Sequence, residues 1–396
     1  MRSMEILRQA LGESFGFLHA KRESAIWRAV EALLIGGRLW LTALGRDMPG
    51  AAKEKHRIKA ADRLLGNLAV HADLIAIYRA VAGWLLHGMT RPVVLVDWTG
   101  CGPDRYLLRA GLPIGGRSIL LLSRVVSKRK LSNPVVHDKF LEDLSSIVPK
   151  HCRPIIVTDG GFSFRWFDKV SSLGWDFVGR LRGTLCVTVE GREQRITELF
   201  RRATKRPQNF GVCRIGRRGQ GEHRLVLASR PKRTGRTRLT QKGTRRRSKE
   251  DFKRSAAARE PWLLATSLTC RASKVIRTYA TRMQLEEAFR DLKSSRFGWA
   301  FEAVNSKNPP RTEVLLMIGT LASLALLAVG AAAEMRGLAS QFQANTVRKR
   351  RVLSLGFLGR RVIANAVHLP DGAIRDALNA LRRYIQASSP IPFAPI

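Results

Sequence analysis

Two short apolar runs that each end in an aspartate constrain the fold of this chain more than any other feature. The first run is PVVLVD, which ends at Asp97, and the second is PIIVTD, which ends at Asp159. Continuous apolar runs of this length are typical of strands that are buried on both faces of a sheet. Further strand-like runs and two helical segments lie between and after them. This order of elements predicts an α/β layer in which some strands pair in parallel.

The rest of the chain differs from this layer in the spacing of its apolar residues. Helical spacing precedes the layer, and from about Thr184 short strand-like runs joined by glycines replace the alternation of helices and strands. Helical patterns dominate after Cys270, including an amphipathic segment at 371–387. We therefore predict a helical region at 1–90, an α/β core at 91–183 that resumes at 271–335, a β-rich insertion at 184–270 and a C-terminal helical region at 336–396.

Positive charge dominates the composition. The chain contains 70 Lys and Arg against 31 Asp and Glu, a formal net charge of +39. Charge of this size opposes compaction by self-repulsion, so it is better explained by a polyanionic partner than by an ordinary soluble surface. Each phosphate that a cation neutralises also releases condensed counterions, which favours binding. The composition therefore points to a nucleic acid.

Two basic segments are candidates for contact with that polyanion. Residues 230–254 contain twelve Lys or Arg and two acids, which predicts a mobile loop that orders on a polyanion. The segment KEKHRIKAADRLLGN predicts a basic helix, whose charged face either contacts DNA or is simply solvated. The candidate DNA contacts in this second segment are Lys55, Arg57, Lys59 and Arg63.

Cysteine usage and hydropathy bear on where the protein works. Five cysteines without a CxxC spacing argue against a disulfide framework or zinc site and for a reducing cytoplasm. Residues 314–333 contain no charge and are long enough to span a bilayer. They are rich in Ala and Gly and contain Thr320 and Ser323, which favours a buried core helix over a membrane span. No apolar run of signal-peptide type opens the chain. We therefore expect a cytoplasmic protein that has no membrane partner.

The two strand-end aspartates are candidate metal ligands. Sites in open α/β sheets lie beyond the carboxyl ends of strands, so Asp97 and Asp159 are expected side by side. Two bare carboxylates at short distance repel each other, and a divalent cation with a preference for oxygen ligands, Mg²⁺ or Mn²⁺, removes the conflict. The alternative is that each aspartate only caps the turn that follows it.

A third acid is predicted from the helical segment YATRMQLEEAFRDLK. At 100° per residue, Tyr279, Arg282, Glu286 and Lys293 share an arc of about 60°. Glu287 lies off that arc, so Glu286 is the better candidate ligand. Solvated salt bridges are the ordinary explanation for such a helix. Cations beside a metal-binding acid, however, are what a phosphate-binding site requires.

The pattern Tyr-x2-Arg-x3-Glu-x6-Lys in this segment, preceded by VVLVDWTG and IIVTDGGF, resembles the insertion-sequence DDE transposases, specifically the bacterial family numbered four. The resemblance covers most of the chain and is weaker in the basic loop. It implies an α/β fold with a ribonuclease-H-like catalytic core, an inserted mainly-β subdomain, and flanking N-terminal and C-terminal helical regions.

The resemblance also implies roles for individual residues. Asp97, Asp159 and Glu286 would form the DDE triad and hold two Mg²⁺ ions, for which Mn²⁺ can substitute. In addition, Trp262 would stack on a base flipped during hairpin formation, unless it is simply a core residue. Contacts to DNA phosphates would come from Tyr279, Arg282 and Lys293 and from the C-terminal region at Arg348, Lys349 and Arg350.

The activity implied is cut-and-paste transposition. Strand nicking, hairpin formation, hairpin opening and strand transfer are the same phosphoryl transfer with different nucleophiles, so one two-metal site can serve all four. The implied partners are transposon-end and target double-stranded DNA, a second copy of the chain in the synaptic complex, and a host DNA-bending protein. Two alternatives remain: a ribonuclease-H-like metal nuclease that does not join strands, and a non-catalytic DNA-binding derivative.

Overall fold

Helices fill the N-terminal part of the chain, as the spacing of its apolar residues predicts. The structure, a computed structural model, describes residues 2–387 apart from 103, 163, 217–220, 230–259, 305, 307, 345, 348 and 349. The predicted basic loop at 230–254 and the candidate contacts Arg348 and Lys349 lie outside the described residues. The helices are α1 (Arg2–Leu11), α2 (Ala20–Gly36), α3 (Leu41–Asp47), α4 (Glu54–Leu65) and α5 (Leu68–Leu86).

Local signals account for where these helices lie. In α2, the helically spaced Ile26, Val30 and Leu33 are fully buried, so packing of one face stabilises the helix. The side chain of Asn67 begins α5 by accepting hydrogen bonds from the backbone N–H groups of Ala69 and Val70, the second and third helical positions, at 2.9 and 3.3 Å. Such a cap satisfies donors that have no partner within the helix.

The chain divides into two compact units. The first comprises Met1–Pro154 with Thr281–Ile396, and the second comprises Ile155–Ala280. Strands β1 (Val93–Gly100), β2 (Arg105–Ile114) and β3 (Arg117–Ser127) of the first unit pair antiparallel in the order β3-β2-β1. The helix predicted after them forms as α6 (Pro134–Ile147).

One strand boundary differs from its prediction. Asp97 lies inside β1 rather than at its end, because the strand continues through Trp98 and Thr99 to Gly100 by pairing with β2. The change from apolar to polar residues at this point marks the end of full burial instead of the end of the strand. Asp97 faces Arg109 of β2 in the register.

The second unit contains the parallel pairing that the sequence predicts. Strand β4 (Ile155–Thr158), helix α7 (Phe164–Ser172) and strand β5 (Asp176–Arg180) form a βαβ unit in which β4 and β5 run parallel. Asp159 directly follows β4, as predicted. From β5 the sheet of this unit continues through β10 (Trp262–Thr266), β9 (Gly221–Ala228), β8 (Gln208–Ile215) and β6 (Cys186–Val189) to β7 (Arg192–Arg195). All pairs after the first are antiparallel.

Short antiparallel strands make up the larger share of the described residues in the segment predicted as an insertion. They are β6 (Cys186–Val189), β7 (Arg192–Arg195), β8 (Gln208–Ile215), β9 (Gly221–Ala228) and β10 (Trp262–Thr266), with the helical turn α8 (Ile196–Leu199) after β7. The hairpin strand β7, REQR, has no apolar pattern and escapes prediction because its pairing with β6 is what defines it.

The segment predicted as one helix from Tyr279 to Lys293 is two helices, α9 (Ala272–Ala280) and α10 (Met283–Lys293). At the junction the backbone N–H groups of Gln284 and Leu285 bond to the carbonyls three residues earlier, the tighter 3₁₀ pattern. The prediction that Tyr279 shares one helical face with Arg282, Glu286 and Lys293 is therefore wrong. Tyr279 lies in the preceding helix, and the shared face is limited to the residues from Arg282 onward.

The apolar segment at 314–333 is a core helix, as predicted. It belongs to α11 (Pro309–Met335), which packs against β3, α2, α12 (Leu355–Ala364) and α13 (Asp371–Ala387). By length and composition, α5 and α11 could each cross a membrane, but 89% of the most apolar window of α11 is buried inside the structure. A Cβ added at Gly359 would lie 2.1 Å from the carbonyl oxygen of Leu326, so the backbones of α11 and α12 touch.

Candidate active site

Asp97 and Glu286, both in the first unit, share one guanidinium. Arg282 Nη1 donates to Oδ2 of Asp97 at 2.8 Å, and Nη2 donates to Oε1 of Glu286 at 2.6 Å. Glu286 lies in the first turn of α10, one helical turn after Arg282, which explains why the two side chains meet. Arg282 is only 6% exposed, so these charge-assisted bonds are poorly screened by water.

The other carboxylate oxygen of Asp97 is fixed by its neighbour in β1. The backbone N–H of Trp98 donates to Oδ1 of Asp97 at 2.8 Å, and the Trp98 indole N–H donates to Nε2 of His137 at 3.2 Å. Burial lowers the pKa of His137 to about 4, so the ring is neutral near pH 7 and can accept this bond. His137, in α6, thus helps to position the strand that carries Asp97. Its role escapes sequence analysis because only the fold brings α6 beside β1.

Asp97 and Glu286 line one cavity of about 740 Å³ in the first unit. Lys293 also lines it and donates from Nζ to the hydroxyl of Thr99 at 2.8 Å. Burial lowers the pKa of Lys293, the expected direction for a cation that leaves bulk water. The cavity therefore combines two of the predicted triad carboxylates with a predicted phosphate-binding lysine.

Glu287 lines the same cavity but is bound to other cations. Arg290 Nη1 donates to both of its carboxylate oxygens, at 2.7 and 2.9 Å, and Arg117 lies 4.0 Å away. Glu286 instead shares its cation with Asp97. This difference supports the choice of Glu286 over Glu287 as the candidate ligand.

The remaining predicted triad residue, Asp159, belongs to the second unit. The Tyr279 hydroxyl donates to Oδ1 of Asp159 at 3.1 Å, and Arg180 Nη1 lies 3.9 Å from the same oxygen. Arg180 ends β5 and is 5% exposed. Sequence analysis missed Arg180, although a cation at the end of a buried strand that runs parallel to β4 is the signal that identifies it.

Trp262 and Tyr279 form one buried aromatic pair in the second unit. Their ring centroids are 5.0 Å apart at an interplanar angle of 73°, and the two residues are 8% and 2% exposed. Stacking of a DNA base on Trp262 therefore requires the ring to become more exposed than it is here. The Tyr279 hydroxyl is directed at a carboxylate, so its contact with a phosphate likewise requires a change of partner.

The basic residues of α4 differ in exposure. Arg57 is half-buried and donates from Nη1 to the carbonyl of Met48 at 2.8 Å, which gives it a structural role. The three other candidates in α4 are exposed, as is Arg350 near the C-terminus. The exposed set consists of Lys55, Lys59, Arg63 and Arg350.

A divalent cation such as Mg²⁺ requires several oxygen donors that converge on one point. Among the residues that the structure describes, no three His, Cys, Asp or Glu side chains are grouped as a metal site. Asp97 and Glu286 nevertheless converge on one positive group and offer the oxygen donors that Mg²⁺ prefers. These two side chains fit a divalent cation in the place of the guanidinium.

Comparison with known protein families agrees with this chemistry. The family model described as "Transposase DDE domain" matches residues 89–325, more than half of the chain. The matched segment contains the three candidate carboxylates together with Tyr279, Arg282 and Lys293. A comparison with curated proteins returned no match.

Proposed function

Because the chain belongs to the DDE transposases, we propose that it moves an insertion sequence by cut-and-paste transposition. The proposed steps are strand nicking, hairpin formation, hairpin opening and strand transfer, on a ribonuclease-H-like core with an inserted mainly-β subdomain. The convergence of Asp97 and Glu286 on one cation, inside a cavity that also holds Lys293, carries this proposal. Within the family, a relation to the transposase of the composite tetracycline-resistance transposon is part of the proposal and rests on the sequence motifs alone.

Asp97, Asp159 and Glu286 are proposed to hold two Mg²⁺ ions, for which Mn²⁺ can substitute. Bound to a DNA phosphodiester, such ions would activate the attacking oxygen and stabilise the leaving one. The shared hydrogen bonds to Arg282 in the first unit support the proposed metal-binding roles of Asp97 and Glu286. The proposed role of Asp159 rests on its position after β4 and on the sequence motif.

The cations of the site are proposed to hold DNA phosphates. Arg282 donates to the two carboxylates of Asp97 and Glu286, and a phosphate would take their place when the carboxylates bind metal. Lys293 lines the cavity, and its ammonium group donates a hydrogen bond to the hydroxyl of Thr99. Trp262 is proposed to stack on a flipped base, which would help to offset the cost of unstacking.

The proposed partners are transposon-end and target double-stranded DNA, in the bacterial cytoplasm and on the nucleoid. Exposed cations in α4 support a role of the N-terminal helices in DNA binding. The C-terminal region from 336 onward is proposed to contribute DNA contacts and dimerisation in the synaptic complex, and a host DNA-bending protein is a further proposed partner.

The test uses purified full-length protein, Mg²⁺ and DNA that carries the inverted repeats flanking the gene. The wild-type protein should nick this DNA, form hairpins and join the released 3′ ends to a plasmid. Glu286→Gln should abolish nicking, whereas the matched control Glu287→Gln should largely retain it, because Glu287 is bound to Arg290. Full cleavage by Glu286→Gln would exclude the enzyme as proposed. Cleavage without joining would identify a nuclease instead.

A further inference from the structure

A second, smaller cavity in the first unit lies behind the candidate active site and is unusually rich in cations. Its volume is about 90 Å³, several times the space that one water molecule requires. Arg109 of β2, Arg117 of β3 and Arg360 of α12 line it, whereas Asp291 of α10 is its one carboxylate. Three guanidinium groups around a single acid leave an excess of positive charge around the cavity.

Arg109 is the most buried of these cations, with 7% of its surface exposed. Its Nε donates to the hydroxyl of Ser123 at 3.2 Å, and its guanidinium lies 5.9 Å from the ring centroid of Phe289. Across the part of the chain that the structure describes, no carboxylate lies within 4 Å of it. Burial lowers the pKa of Arg109 to about 10, so the group is still charged near pH 7. A buried charge without a counterion is costly.

Arg360 is in a similar position. Its Nη1 donates to the carbonyl of Gly298 at 2.6 Å, and its guanidinium stacks on Trp299 at 4.5 Å. Asp291 interacts with Arg360 electrostatically, although within the described ranges no ion pair at 4 Å or less forms there. Asp291 is already engaged, because it accepts a 2.5 Å hydrogen bond from Arg117. One carboxylate thus serves two guanidinium groups, those of Arg117 and Arg360, and a net positive charge remains around the cavity.

Other polar groups of the cavity do not supply the missing negative charge. The hydroxyls of Thr320 and Ser323 donate to carbonyls of their own helix, at 2.9 and 2.6 Å. Arg109 accordingly lines a small space in which charged donors outnumber charged acceptors. The planar guanidinium fork matches the oxygens of a phosphate or carboxylate.

We propose that this cavity binds a small phosphate-type oxyanion between Arg109 and Arg360. The neighbouring large cavity gives access, because Arg117, Asp291 and Phe297 line both spaces. Phe297 is 51% exposed and packs edge-on against Phe357, another residue of the small cavity, so an aromatic pair flanks the entrance. The oxyanion is either free phosphate or a backbone phosphate of bound DNA, since both present the same oxygens.

Isothermal titration of the full-length, metal-free protein with inorganic phosphate tests this site. Arg109→Met and Arg360→Met should each weaken phosphate binding by about tenfold or more, because a hydrogen bond to a charged group contributes that much. Arg129→Met, which removes an exposed arginine, should bind phosphate as the wild type does. If all variants bind phosphate alike, binding is confined to the surface and the site does not exist.

Thermal unfolding distinguishes a loss of phosphate binding from a loss of stability in the variants. Arg109→Met should not lower the Tm in phosphate-free buffer, because the variant removes a cation that lacks a counterion, and it should lose the Tm increase that phosphate gives the wild type. Arg124→Met is the contrasting variant: Arg124 binds Asp143 at 2.9 Å and Glu313 at 3.1 Å, so its loss should lower the Tm with or without phosphate. A phosphate-induced rise retained in both Arg109→Met and Arg360→Met would overturn the proposal.

Titration in the presence of saturating end DNA then distinguishes the two sources. Undiminished phosphate binding assigns the site to the free anion. Loss of phosphate binding, together with weaker DNA binding by Arg109→Met, assigns it to a DNA backbone phosphate. The phosphate result stands by itself, whether or not the protein joins DNA strands.

Discussion

Arg282 donates a 2.8 Å hydrogen bond to a carboxylate oxygen of Asp97, a residue 185 positions earlier in the chain. The same guanidinium also donates to Glu286, so one cation partly compensates the charge of both carboxylates. A divalent cation must compete with this guanidinium for the same oxygens. Arg282→Gln should therefore bind Mn²⁺ about tenfold or more tightly in the absence of DNA, since each charged hydrogen bond opposes metal binding.

Electron paramagnetic resonance of Mn²⁺ measures this affinity directly, without reference to activity. The matched control is Arg290→Gln, which removes a cation that binds Glu287 instead of Glu286. Equal Mn²⁺ affinity in Arg282→Gln and the wild type would show that the guanidinium does not compete with metal. DNA cleavage by Arg282→Gln should nevertheless fall, because the variant also lacks the proposed phosphate contact.

His137 predicts a dependence of stability on pH. Its pKa is lowered from 6.5 to about 4 in the folded state, chiefly by burial. Between these values the unfolded chain binds more protons, so stability is complete above pH 6.5 and is lost as the pH falls toward 4. The loss is about 3 kcal/mol at most. Protonation would also remove the acceptor of the Trp98 indole.

Thermal unfolding between pH 4 and 7 checks this expectation. His137→Gln keeps an acceptor oxygen but cannot titrate, so its Tm should vary less with pH than that of the wild type. His56→Gln, at an exposed position of α4, is the control and should leave the profile unchanged. An identical profile for His137→Gln would mean that other groups cause the acid sensitivity.

The sequence predicts those features of the site that depend on residues close together in the chain, and it misses those that depend on residues far apart. PIIVTD predicts both β4 and the position of Asp159, because one apolar run determines a buried strand. The spacing of Arg282 and Glu286 predicts their contact, since residues four apart meet on a helix. By contrast, the extension of β1 beyond Asp97 depends on hydrogen bonds from β2, and local periodicity does not contain that information.

The interruption between α9 and α10 is a further limit of the sequence. YATRMQLEEAFRDLK contains neither Gly nor Pro, so its local pattern favours an unbroken helix. Contacts distant in sequence compete with that propensity, because Tyr279 bonds to Asp159 and Arg282 bonds to Asp97. Arg109 and Arg180 were missed for a related reason. Each has partners that only the packing of the sheet determines.

Exposed lysines of α4 predict a salt dependence of end binding. If Lys59 neutralises one phosphate, Lys59→Ala should reduce the slope of log K against log salt by about 0.9. Electrophoretic mobility shifts at several salt concentrations measure this slope. Lys21→Ala, at an exposed position of α2, is the matched control and should not change it. Equal effects of the two variants would indicate a diffuse charge effect, and α4 would not be a specific contact.

The hydrogen bond from Tyr279 to Asp159 gives a final prediction. Tyr279→Phe retains the ring that packs against Trp262 but removes the hydroxyl that donates to the carboxylate at 3.1 Å. The Tm should therefore change little, whereas the nicking rate should fall by about 10- to 100-fold, the range that one hydrogen bond to a charged group contributes. Tyr384→Phe, whose ring is 48% exposed on α13, is the control and should cleave normally. Normal nicking by Tyr279→Phe would show that the hydroxyl neither orients Asp159 nor binds DNA, and Asp159 would then depend on Arg180 alone among these two contacts.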